Sequence, residues 1–192
     1  MNKHNLKLPV FPLPVFILPG GITRLRVFEP RYLTLVKVAS KEHGFLIILT
    51  NNDAEPVQNK CGSWVEIINF DKGEDGVLEI DVKCRALVKI KSINIDNDKL
   101  QYANALQIEH WSQKPVANVA DELSESLQHV YENNALLYDL YTEKPFQNTS
   151  WVIARWIELL PISLSDKIKF FCQHNFEDVK NIVQSIITKH QK

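Results

Sequence analysis

Leu78-Glu79-Ile80-Asp81-Val82-Lys83-Cys84-Arg85-Ala86-Leu87-Val88-Lys89-Ile90 alternates apolar and polar residues almost without a break. Leu78, Ile80, Val82, Cys84, Ala86, Val88 and Ile90 share one face; Glu79, Asp81, Lys83, Arg85 and Lys89, continued by Lys91, share the other. Such a period of two describes a strand with one side in a core and one in water. The run is longer than the usual strand of about five or six residues. It therefore bends, coils or changes partners, as strands in small barrels do.

Reading outward, Asp75-Gly76 before this run supplies the positive-φ chemistry of a hairpin turn. Trp64, Val65, Ile67, Ile68 and Phe70 form the strand that precedes it, and Gly44 to Thr50 a short buried strand before that. Asn97-Asp98 is a second turn, after which Leu100 to His110 returns as another strand. The economical solution is a small, all-antiparallel β-barrel. One helix interrupts it, opened by Glu29-Pro30-Arg31-Tyr32 and buried through Tyr32, Leu35, Val36 and Ala39 at helical spacing, with Gly44 as its stop.

Near residue 112 the period becomes helical, which divides the chain into a β-rich part, 1–112, and a helical part, 113–192. Val119 to Tyr141 gives one amphipathic helix, bent or split at Asn133-Asn134. Thr149-Ser150 caps a second, whose Trp151, Ile153, Ala154, Trp156, Ile157, Leu159 and Leu160 are apolar almost all round, so it lies centrally in a helical bundle. Ser163 to Asn175 and Phe176 to Lys189 give two more. The fold class expected is α+β.

With 192 residues, 45% hydrophobic and 23% charged, the chain has the composition of a globular protein. Its 22 Lys and Arg against 23 Asp and Glu create no global field for nucleic acid or an anionic membrane. Cys61, Cys84 and Cys172 are odd in number and far apart, so neither a disulfide framework nor a zinc ribbon is expected, and the reducing cytoplasm is the compartment this usage suggests. Prolines 9, 12, 14 and 19 break the N-terminal apolar residues, which argues against a signal peptide, and no apolar run approaches the roughly 20 residues of a membrane span.

Candidate chemistry is sparse. No GxxxxGK(S/T) occurs, and none of the six glycines precedes a lysine, so the phosphate cradle of a P-loop is missing. Cys172 and His174 point to different sides of a helix at i, i+2 and have no ligand cluster around them. Ser163, Ser165 and Asp166 read as a helix cap. Neither a catalytic group nor a cofactor is expected, and the chain reads as a non-enzyme.

Two segments resemble a known family. Leu8-Pro9-Val10-Phe11-Pro12-Leu13, Leu18-Pro19-Gly20-Gly21 and above all Leu25-Arg26-Val27-Phe28-Glu29-Pro30-Arg31-Tyr32 look like the opening of the Lon N-terminal, or substrate-binding, domain. Gly44 to Leu49, Cys61-Gly62 and Asp75-Gly76 before the alternating strand are similar to the rest of that domain's barrel, and the helical tail resembles its helical half more loosely. The resemblance implies a PUA-like barrel with one inserted helix, followed by a helical bundle, that engages polypeptide without the ATPase and peptidase modules of complete Lon-type proteases. The partners implied are unfolded or extended polypeptide, or a protein such as a complete Lon-type protease.

Two sets of residues are candidates for contact with a partner. Phe28, Glu29, Pro30, Arg31 and Tyr32 form either a partner-binding surface or a structural brace, the brace being favoured because a guanidinium fork suits a carboxylate held against the barrel. Lys83, Arg85, Lys89 and Lys91 form a basic stripe, the footprint of an alternative role as an RNA-binding PUA-like module. Nucleic acid is the lesser reading, because Leu87 interrupts the stripe without offering an aromatic ring for stacking, and Glu79 and Asp81 continue the face with opposite charge.

Overall fold

The computed structural model describes residues 5–50, 61–97, 99–111, 121–170 and 175–190. The chain divides into two compact units, Met1–Glu109 and His110–Lys192. The first contains β1 (Asn5–Leu13), β2 (Ile22–Val27), α1 (Pro30–Ala39), β3 (Phe45–Leu49), β4 (Cys61–Lys72), β5 (Leu78–Ile95) and β6 (Gln101–Ile108). They form one six-stranded sheet in the order β2-β5-β4-β3-β1-β6, and β6 also pairs with β5.

β5 organises this sheet. At 18 residues it is long enough to hold β4 along one edge while the other edge passes from β2, at residues 78–83, to β6, at residues 87–95. Register shifts between Ile90 and Ser92 against β6, and between Trp64 and Val65 and between Ile67 and Asn69 on β4, give it the bends its length demands. Its inward residues Val88 and Ile90 meet Leu8, Val10, Leu46, Ile48, Ala103 and Ala105 in a buried cluster.

Two expectations need correction. The sheet is not wholly antiparallel: β1 and β3 pair in parallel, Val10 with Leu46 through Leu13 with Leu49. A parallel pair needs a long crossover, and β2 with α1 supply it. The stretch containing Pro9 and Pro12, read above as broken, is the strand β1, with Pro9 opposite Tyr102 and Pro12 opposite Ile48. Proline removes a ladder donor without preventing extended backbone.

α1 begins as expected, with Pro30 at its first position and Glu29 in extended geometry before it, and buries Leu35, Val36 and Ala39. Gly44 lies beyond the end of α1, at φ 83°, where an added Cβ would sit 1.9 Å from the Val65 carbonyl oxygen. Only glycine permits that approach to β4. Gly76 adopts φ 82° in the β4–β5 turn, as its sequence signal requires.

The second unit contains α2 (Asp121–Glu132), α3 (Ala135–Asp139), α4 (Thr149–Leu159), α5 (Leu164–Lys169) and α6 (Phe176–His190). The helix signal before residue 141 does split at Asn133-Asn134, and the Asn134 side chain caps α3 by accepting from the Leu137 amide. α4 is capped by Asn148 rather than by Thr149 or Ser150, which are buried in its first turn. Every residue from Thr149 to Ile157 is buried, as the composition predicts, whereas Leu159 at the end of the helix is exposed; the Trp156 ring N–H donates to the Leu123 carbonyl at 2.9 Å. Ser163 caps α5 through the Asp166 amide. Cys172 and His174 lie outside the described residues.

Candidate functional site

Where β2 ends, the chain turns through Phe28 and Glu29 into α1, and this junction sits beside the end of β1. Phe11, Pro12 and Leu13 from β1, Arg26, Val27 and Phe28 from β2 and its exit, and Glu29 and Tyr32 at the start of α1 line a half-open pocket of about 150 Å³. Small-molecule clefts typically measure roughly 300 to 1,000 Å³. This one is the size for a large side chain.

Its base is aromatic. The Tyr32 ring stacks on Phe11 with centroids 4.1 Å apart and planes 24° from parallel, and Phe45 lies 6.0 Å behind Phe11. Burial holds the Tyr32 hydroxyl above its ordinary pKa, so it stays protonated at neutral pH. At the rim Phe28 is 71% exposed, a large apolar side chain left in water beside a concave surface.

The charged groups at the rim are paired with one another. The Arg31 Nε and Nη2 atoms both donate to one Glu29 carboxylate oxygen, at 2.9 and 2.7 Å, and its guanidinium lies 5.0 Å from the centre of the Tyr32 ring. That hydrogen bond raises the Arg31 pKa. Arg26 is engaged by Asp75 and by Glu79, the latter at 3.5 Å.

Arg31 has the surroundings of a surface pair. A brace requires a carboxylate on a strand, but the partners of Arg31 among the described residues are Glu29 and Tyr32, its immediate neighbours, and its side chain is 63% exposed. Phe28, Glu29, Arg31 and Tyr32 are thus brought together at one surface, with Pro30 setting the turn between them. The sequence reading did not single out Phe11, Pro12, Leu13, Arg26 and Val27, which complete the lining. Their signal was present only in the resemblance, since proximity across separate strands leaves no local pattern.

The basic stripe is differently placed. Lys83, Arg85, Lys89 and Lys91 are all exposed on β5. Arg85 gives its charge to Glu66 at 2.7 Å and lies 5.7 Å from the centre of the Trp64 ring. Lower on the strand, Arg24 binds both oxygens of Asp81, at 2.7 and 3.0 Å, and Asn69 adds a further bond at 3.1 Å. Asp81 is therefore buried rather than solvated as its place in the alternation suggested, and these bonds, Arg24 first, hold its carboxyl below the usual range. Among the described residues no group of three or more His, Cys, Asp or Glu is placed to hold a metal ion. No described helix is long and apolar enough to cross a membrane.

Known structures share this architecture. A Lon N-terminal domain protein from Xanthomonas campestris is 25% identical and superimposes with a TM-score of 0.68 over 94% of this chain and 98% of its own. The N-terminal domain of a Lon protease from the Mycobacterium avium complex, 11% identical, matches in fold at a TM-score of 0.64 over 96% of this chain and all of its own, 100%. No curated protein matches the chain. The family model of the ATP-dependent protease La (LON) substrate-binding domain matches residues 7–189, and the chain belongs to that family.

Proposed function

We propose that this chain is a non-catalytic polypeptide-binding module that engages unfolded or extended segments, and that the pocket between β1, β2 and α1 is where an apolar side chain of the segment docks. The observation that carries this reading is the exposed Phe28 beside an aromatic-based pocket of side-chain size, in a family defined by substrate binding. An extended chain can present such a side chain without being folded, and recognition of this kind tolerates many sequences. The circuit of pairings through β5, β4, β3, β1 and β6 supports reading the first unit as a PUA-like barrel, and the five described helices of the second support reading it as a bundle.

In this reading binding needs no nucleotide, leaves the polypeptide intact and takes place in the cytoplasm. Affinity lies near micromolar or weaker, because ordering a flexible segment offsets much of the contact energy. A partner such as a complete Lon-type protease would use the same surface through an extended segment of its own. RNA ranks below polypeptide, because Glu66 already neutralises Arg85 in the middle of the basic stripe. The test is titration of labelled unfolded polypeptides and folded controls, with ATP in half the samples and mass spectrometry of the products. Binding to unfolded chains alone, unchanged by ATP and without cleavage, is expected; ATP-dependent proteolysis, or indifference to unfolded chains, overturns the reading.

A further inference from the structure

The two walls of the pocket differ in charge. On the α1 side Glu29 and Arg31 neutralise each other. On the β2 side Arg26, itself part of the lining, belongs to a connected cluster with Arg24, Asp75, Glu79 and Asp81. Arg24 contacts Asp81 at 2.7 Å and Glu79 at 3.6 Å, and Arg26 contacts Asp75 and Glu79. Among these five paired side chains two guanidinium groups face three carboxylates, and Asp71 adds its charge beside Arg24, so carboxylates outnumber guanidinium groups next to the pocket. The Asp75 and Asp81 carboxyls are held below their ordinary range by Arg26 and Arg24, so both are ionised at neutral pH.

We infer that the pocket selects extended segments in which a large apolar residue is accompanied by a nearby lysine or arginine, the apolar side chain entering between Phe28 and Tyr32 and the cation lying over the Arg26 wall toward Asp75 and Glu79. This rests on the pocket being the polypeptide site. It adds a preference that apolar recognition alone does not contain: an aromatic residue flanked by carboxylates is disfavoured by repulsion, and one flanked by neutral residues lies between. The neutral Glu29–Arg31 wall gives no matching preference at the other end, so the effect depends on which side of the apolar residue the cation occupies.

The test uses the full chain and short labelled peptides, each with one tryptophan in a Gly-Ser background and with Lys, Gln or Glu placed before or after it. At low salt the better-placed Lys peptide should bind about two- to fivefold more tightly than its Glu counterpart, the scale of exposed charge pairs, and the ratio should shrink as salt screens them. A chain carrying Asp75→Asn with Glu79→Gln should lose or reverse that order while still binding the Gln peptide. Equal affinities, the opposite order on the unaltered chain, or a preference that survives the double substitution would overturn the inference. Failure of the Gln peptide to bind, or its indifference to Phe28→Ala, would instead remove the pocket reading beneath it. Concentration-dependent self-association abolished by Phe28→Ala would assign the pocket to a second copy of the chain, and displacement of the Lys peptide by an RNA oligomer would assign it to nucleic acid; either result overturns the inference.

Discussion

Arg31 and Arg155 each bind a carboxylate two or three residues away, yet they inhabit opposite physical regimes. Arg31 meets Glu29 in water at the rim of the pocket. Arg155 meets Glu158 at 2.7 Å in the interior of the helical unit, with its side chain only 1% exposed and the Trp151 ring 5.6 Å from its guanidinium carbon. Tyr131, Tyr141, Phe146 and Trp151 pack edge to face and tilted in the same region, and burial raises the Tyr131 hydroxyl well above its ordinary pKa. Lys167, whose pKa burial lowers, donates to the Glu158 carbonyl at 2.7 Å at the end of α4. Sequence spacing alone does not distinguish a surface pair from a structural one; the surrounding solvent does.

The largest expected effect follows for the buried pair. Arg155→Ala removes the buried guanidinium that pairs with the Glu158 carboxylate, and breaking such a pair costs about 3 to 5 kcal/mol. Urea unfolding measures this, and a loss below about 1 kcal/mol would break the comparison. Arg155→Met, which keeps the stem and removes the charge, with Glu158→Gln beside it should recover part of the loss.

Arg24 and Asp81 stand between the extremes. The folded state depresses the Asp81 pKa, so its contribution is present above the unfolded value of about 3.9 and is lost as pH falls through the lower folded value. Asp81→Asn should therefore cost about 1.5 to 3 kcal/mol at pH 7, the usual range for bonds to a charged group, and the gap from the parent should close in strong acid. A gap that stays constant from pH 7 into strong acid would show that the carboxylate's charge does not matter there.

The smallest effect belongs to Arg31. Its exposed pair with Glu29 and its contact with Tyr32 together amount to under about 1 kcal/mol, so Arg31→Ala should leave the melting temperature nearly unchanged. A loss as large as that of Arg155→Ala would make Arg31 a brace.

The same contrast marks what the sequence could convey. β5, the hairpin at Gly76, α1 and the all-round apolar α4 were legible, because period, turn chemistry and capping are local. β1 was not, since Pro9 and Pro12 mask an extended segment whose ladder partners are β3 and β6. The parallel β1–β3 pair was equally hidden, because pairing direction depends on a crossover. Of the pocket, Phe28 to Tyr32 stood out as a contiguous block, whereas Phe11 and Arg26 reach it from separate strands. Arg155 gave no sign of its role in a helix that otherwise reads as apolar.

The central claim is that the pocket beside the exposed Phe28 side chain binds extended polypeptide. It is tested most directly by titrating one labelled, permanently unfolded polypeptide against the parent chain and Phe28→Ala, with both melting temperatures measured alongside. Because an exposed aromatic anchor can carry about 2 kcal/mol of binding, Phe28→Ala should lose on the order of tenfold or more in affinity at an unchanged melting temperature. Equal affinity of the two proteins for that polypeptide would contradict it.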